Sequence, residues 1–144
     1  MKRFLSLFVI MILLLMVGAV FTVSADEMVL KLSGITVKDE HPNGCVDCHK
    51  NAGEGRDYRL NIALKEVKNH PDITKIVRTL PDDCAMCHKP NVPAGPLNLQ
   101  THRLHYRNPE ENHFIHFYQG ECLACHTLDV NTGIMTVKSG PKNW

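Results

Sequence analysis

Cys45-Val46-Asp47-Cys48-His49, Cys84-Ala85-Met86-Cys87-His88 and Cys122-Leu123-Ala124-Cys125-His126 use all six cysteines of the chain in three identical frames. C-x-x-C-H is the attachment sequence for c-type haem. Two thiols three positions apart reach the two vinyl groups of one porphyrin, and the next residue brings its imidazole under the iron. The frames predict three covalently bound haems c, held by Cys45, Cys48, Cys84, Cys87, Cys122 and Cys125, with His49, His88 and His126 as proximal iron ligands. Two other uses of cysteine fit the frames less well. A disulfide framework suits a secreted chain, but it does not ask for a histidine after every pair. A zinc ribbon sets its two C-x-x-C units about 15–20 residues apart, whereas 35 residues separate Cys48 from Cys84 and three pairs cannot divide evenly.

Outward from the first motif, the N-terminus reads as an export signal. Lys2 and Arg3 precede an apolar stretch from Phe4 to Val23, followed by Val23-Ser24-Ala25 and the acidic pair Asp26-Glu27. Small residues at the last and third-last positions fit signal-peptidase cleavage after Ala25. The apolar run is also long enough to span a bilayer if left uncut, so residues 1–25 are a signal peptide or an uncleaved N-terminal anchor. Positive charge before the run keeps the N-terminus inside in both cases. Residues 26–144 are then the exported domain, in the periplasm or on the outer face of the cytoplasmic membrane. A membrane association follows only if the N-terminal segment is retained.

The exported part carries 14 basic residues (the 16 of the whole chain less Lys2 and Arg3) against 15 acidic ones. That balance excludes the positive excess of a nucleic-acid binder. A domain this short, rich in proline and glycine, buries little apolar surface by itself, and packed haems supply what the side chains lack. Periodicity predicts a strand over 28–37, helices over 58–69 and 72–80, a loop over 89–97, helices over 97–106 and from 108 to about 118, and a tail without structure after the third motif. The expected fold is a small, mostly α and irregular multihaem architecture, with short helices and long loops wrapped around three packed haems.

Six histidines stand outside the motifs: His41, His70, His102, His105, His113 and His116. Mature methionines are few and poorly placed, so bis-histidine ligation with low potentials is expected. His102-Arg103-Leu104-His105 and His113-Phe114-Ile115-His116 are both H-x-x-H, which puts two imidazoles on one helix face. His70 is fixed in direction by Pro71. His70, His102 and His105 rank first as distal ligands, and His41, His113 and His116 second.

At these residues the chain resembles the multihaem cytochromes c. His113-x-x-His116 ahead of Cys122, and His41 ahead of Cys45, are similar to distal-ligand positions of small class III tri-haem and tetra-haem cytochromes. His102-Arg-Leu-His105 resembles the H-K-I-H of outer-membrane multihaem cytochromes, where both histidines are distal ligands. The two likenesses together name more distal ligands than three irons need. The segments of 35 and 34 residues between motifs are longer than in the smallest class III proteins.

The resemblance implies electron transfer between extracytoplasmic redox partners, such as a membrane quinol oxidase or a terminal reductase. The alternative is a haem-relay subunit of a cytochrome filament or of a larger reductase complex, with self-association. An electron carrier, not an enzyme, is expected. A reductase would need an open haem iron, and no nucleotide-binding glycine motif or variant attachment motif marks one.

Overall fold

The computed structural model describes residues 30–144, so the expected leader, residues 1–25, lies outside the described residues. Lys31–Trp144 forms one compact unit. Among the described residues no helix is long and apolar enough to cross a membrane.

The elements are short. In chain order they are α1 (Cys45–Cys48), α2 (Leu60–Ala63) running into a 3-10 turn (Leu64–Glu66), β1 (Thr79–Leu80), a 3-10 turn (Cys84–Met86), α3 (Leu97–Tyr106), α4 (His113–Tyr118), a 3-10 turn (Cys122–Ala124), β2 (His126–Leu128), β3 (Met135–Val137) and β4 (Gly140–Pro141). They form two separate two-stranded antiparallel sheets, β1 with β4 and β2 with β3.

Several expected boundaries differ from this. In the region expected as a strand over 28–37, the described part folds on itself. Ile35 and Thr36 N–H both donate to the Leu32 carbonyl, and Gly34 sits at φ +74 in the tight turn. The helix expected over 58–69 is confined to Leu60–Ala63 and its 3-10 extension. Over 72–80 a single turn closes, Val77 N–H to Ile73 carbonyl at 3.0 Å, and Thr79–Leu80 becomes a strand. The apolar spacing there serves burial instead: Ile73, Val77 and Leu80 join Val46 in the core. A two-residue strand facing one core carries no periodicity to read.

The helix over 97–106 forms over those residues. The next one begins only at His113, because the Asn112 side chain caps it by accepting from Phe114 N–H at 3.0 Å. An asparagine there satisfies a donor that the first helical turn leaves unpaired.

The C-terminus does not trail off. After the β2–β3 hairpin, β4 pairs with β1, and Trp144 packs on the core cluster. Gly140 is required there, since a Cβ would fall 2.7 Å from the Asn43 carbonyl oxygen.

Apolar burial is thin. Among the described residues the buried hydrophobics are Val46, Ile73, Val77, Leu80, Leu123 and Ala124, while fifteen large hydrophobics stay exposed, Phe117 at 68% and Val130 at 64% among them. A domain normally needs one contiguous core. Here the side chains provide only a fragment of one.

Candidate haem-attachment sites

Each attachment motif is wound into a single tight turn. In the first two, the histidine N–H closes the turn on the first cysteine, His49 to the Cys45 carbonyl at 2.8 Å and His88 to the Cys84 carbonyl at 3.0 Å. In the third, Cys125 N–H closes on the Cys122 carbonyl at 3.1 Å, and His126 opens strand β2. All six cysteines are unpaired thiols. Burial pushes the Cys45 thiol up to about 11, and the nearby thiols Cys125 and Cys84 add to the rise. Burial also raises Cys84, Cys125 and Cys48 above the ordinary thiol value.

The C-terminal segment, expected as a loose tail, ties the three motifs together. The buried Lys138 donates from its backbone N–H to the Cys125 carbonyl at 2.9 Å and from Nζ to the Leu123 carbonyl at 2.6 Å, both in the third motif. Its ammonium also pairs with Asp39 at 2.8 Å. Ser139 Oγ donates to Asp82, just ahead of the second motif, at 2.7 Å. Asn143 Nδ2 donates to the carbonyls of Val46 at 3.2 Å and His49 at 2.8 Å in the first motif. No spacing or composition signal marks these residues, because their partners are mostly backbone carbonyls far away in sequence.

The histidines fall into two groups. Each motif histidine faces one histidine from outside the motifs: His49 faces His105 with ring centroids 6.1 Å apart, His88 faces His70 at 6.2 Å, and His126 faces His102 at 6.1 Å. A metal–imidazole bond is about 2 Å, and a ring nitrogen lies roughly 1.2 Å from its centroid, so imidazoles on opposite sides of one ion sit roughly 6.3 Å apart. The three observed separations match that value.

The rings are also held in the tautomer a ligand needs. His102 Nδ1 bonds the Asn98 carbonyl at 2.7 Å, His105 Nδ1 the Thr101 carbonyl at 2.8 Å, His70 Nδ1 the Pro71 carbonyl at 2.9 Å and His49 Nδ1 the Tyr58 carbonyl at 3.2 Å. A carbonyl only accepts, so Nδ1 carries the proton and Nε2 presents its lone pair. Burial lowers the His49 pKa below 6.5, partly offset by its bond to Tyr58 and reinforced by His105. The ring is therefore neutral at pH 7, as a ligand must be. His88 Nδ1 is buried without a hydrogen bond.

The remaining histidines are differently engaged. His116 bonds the Glu110 carbonyl through Nε2 at 2.6 Å, so its proton sits on the nitrogen a distal ligand would use. His113 stacks on Phe117 at 4.3 Å. His41 meets the edge of Tyr118 at 5.9 Å.

Among the described residues no three His, Cys, Asp or Glu side chains converge as an ion-binding cluster. A zinc ribbon requires four such ligands; a porphyrin brings four nitrogens of its own and asks the chain for two. Paired imidazoles, adjacent free thiols and a sparse core fit haem c. An open groove of about 650 Å³ beside α3, lined by Gln100, His102, Arg103, Leu104, Tyr106 and Arg107, adds space next to one of these pairs. No family model, characterised protein or solved structure matches this chain.

Proposed function

We propose that this chain is an exported tri-haem c-type cytochrome that transfers electrons between extracytoplasmic redox partners. The observation that carries the proposal is the pairing of every motif histidine with one outside histidine at 6.1–6.2 Å. Cys45 and Cys48, Cys84 and Cys87, and Cys122 and Cys125 would bind three haems as thioethers, with His49, His88 and His126 proximal and His105, His70 and His102 distal in that order. Bound haem iron supplies one-electron chemistry, shuttling between ferric and ferrous states.

The chain's own groups do the rest. The carbonyls of Tyr58, Pro71, Asn98 and Thr101 hold the imidazoles in one tautomer and one direction. An imidazole held on each side would let a bound haem change oxidation state with little change in the site. Two such ligands per haem would leave no position for a substrate, which favours a carrier over a reductase. Helix α3 carries His102 and His105 one turn apart. Side chains at that spacing have Cβ atoms about 5–6 Å apart, so one short helix would brace two sites and keep them close enough to exchange electrons. The exposed hydrophobics lose their anomaly if apolar macrocycles cover part of them.

Haem attachment takes place outside the cytoplasm in this reading, with residues 1–25 directing export. The test is the intact mass of the purified protein after acid-acetone extraction, joined to a ferric absorption spectrum. Three haem masses above the polypeptide and a wholly low-spin spectrum are expected. One haem, bound zinc, or loss of all colour into the extract would end the proposal.

A further inference from the structure

The three histidine pairs agree in separation and differ in orientation. The rings of His70 and His88 lie within 20° of parallel and those of His102 and His126 within 13°, whereas His49 and His105 cross at 87°. The difference does not arise on α3. His102 and His105 occupy the same helix and make the same Nδ1 bond to the carbonyl four residues back, so the helix presents both rings alike. It arises on the motif side. His49 ends a helical turn and is turned toward the Tyr58 carbonyl, while His126 lies in strand β2. The edge-on contact of Phe114 with His105, 5.3 Å between centroids at 82°, supports the crossed arrangement from the other side.

Ring orientation has an electronic consequence. An imidazole π system acts on the one iron dπ orbital that lies across its plane. Two parallel rings act on the same orbital and split the dπ pair, so the ferric hole settles in the raised member and is stabilised. Two crossed rings act on different members and leave the pair nearly degenerate, so the hole gains less. The ferrous state, with a filled dπ set, is nearly indifferent. Axial ligation is one of the protein's means of setting haem potential.

We propose that the crossed pair His49–His105 makes the first-motif site electronically distinct from the other two and the first of the three to accept an electron. The proposal rests on the ligand pairing above and adds to it an order among the sites. The chain would thereby hold its first electron at a site set by where the Tyr58 carbonyl turns one imidazole.

Electron paramagnetic resonance of the ferric holoprotein, integrated against total haem, tests this. One of three low-spin equivalents is expected in a strongly anisotropic signal with a single resolved low-field feature, and two in ordinary rhombic signals. During stepwise reduction with dithionite the anisotropic signal should vanish first. His105→Ala should abolish it and yield one high-spin equivalent, leaving both rhombic signals; His102→Ala should instead remove one rhombic signal. Three rhombic signals, more than one anisotropic signal, reduction of the anisotropic site after either other one, or its survival in His105→Ala overturns the proposal. The wild-type spectrum decides even if a variant fails to fold. A high-spin equivalent in the wild type, or fewer than three haems, signals failure of the ligand pairing instead.

Discussion

Helices α3 and α4 carry the same H-x-x-H motif seven residues apart, and the fold uses them differently. On α3, both imidazoles donate through Nδ1 to the helix's own carbonyls, at Asn98 and Thr101, which leaves Nε2 unprotonated, and their rings lie 6.1 Å from those of His126 and His49. On α4, His116 spends Nε2 on the Glu110 carbonyl and His113 stacks on Phe117. Length explains part of this. α3 has ten residues and α4 six, so the α3 histidines have helix carbonyls four residues behind them. His113 is the first residue of α4, and His116 donates outside it, to the loop that precedes the Asn112 cap. The comparison teaches that spacing makes two histidines neighbours, but the hydrogen bond on the far nitrogen decides whether they can ligate.

The largest effects should come from α3. Alanine at His102 and at His105 together should convert two of three haems to high-spin, carbon monoxide-binding forms, read from the difference spectrum of the reduced protein. The matching double replacement of His113 and His116 should leave all three inert. A carbon monoxide adduct in the α4 variant alone would invert the comparison and favour the class III likeness of His113-x-x-His116.

Loss of ligation must be distinguished from loss of folding, and the Lys138–Asp39 pair offers the control. Lys138 is 6% exposed and its ammonium reaches only Asp39 and the Leu123 carbonyl in the described contacts. Removing one partner of a buried pair costs about 3–5 kcal/mol. Asp39→Ala should fall at or below the low end, since the Asp39 side chain is 24% exposed and solvent screens a partly exposed pair. Denaturant melts should register the change while the spin state of the folded protein stays low. Burial alone would raise the Asp39 carboxyl, but the bonds from Lys138, His41 and Ser33 and the Lys138 charge hold it below 3.8. A depressed acid stabilises the fold above its unfolded value, and that share is lost as pH falls through the folded value. The wild type should therefore lose stability in acid, below about pH 4, more steeply than Asp39→Ala.

Asn112 sits between the two helices. Its carbonyl oxygen caps α4, and its amide donates to Leu104 at 3.2 Å and Arg107 at 3.0 Å at the end of α3. Asn112→Ala should cost about 1–2 kcal/mol, seen as a lower melting temperature with ligation intact. A high-spin signal in this variant would show that α4 positions α3.

The smallest effect is expected at His116 alone. His116→Ala removes one exposed hydrogen bond to the Glu110 carbonyl, a loss of about 1 kcal/mol or less. A larger loss would mean that this histidine contributes more to the helix pair than its geometry suggests.

By itself, the sequence determined which side chains stand at the motifs. Three C-x-x-C-H frames name thiols and imidazoles through covalent spacing alone, which holds in any fold that leaves the frame intact. It also determined helix α3, whose ten residues contain no proline or glycine and follow directly on Pro96. The tertiary structure alone decided which outside histidine faces which motif. Those pairings join residues distant in sequence, such as His49 with His105 and His102 with His126, and no local period encodes them. The same holds for the short strands, whose pairing of Thr79–Leu80 with Gly140–Pro141 is fixed by partners rather than propensity. It holds most of all for the C-terminal segment. Its glycine and proline read as loop, yet Lys138, Ser139 and Asn143 bind the surroundings of all three motifs. Backbone carbonyls have no sequence identity, so the contacts they accept become visible only when the chain has folded around them.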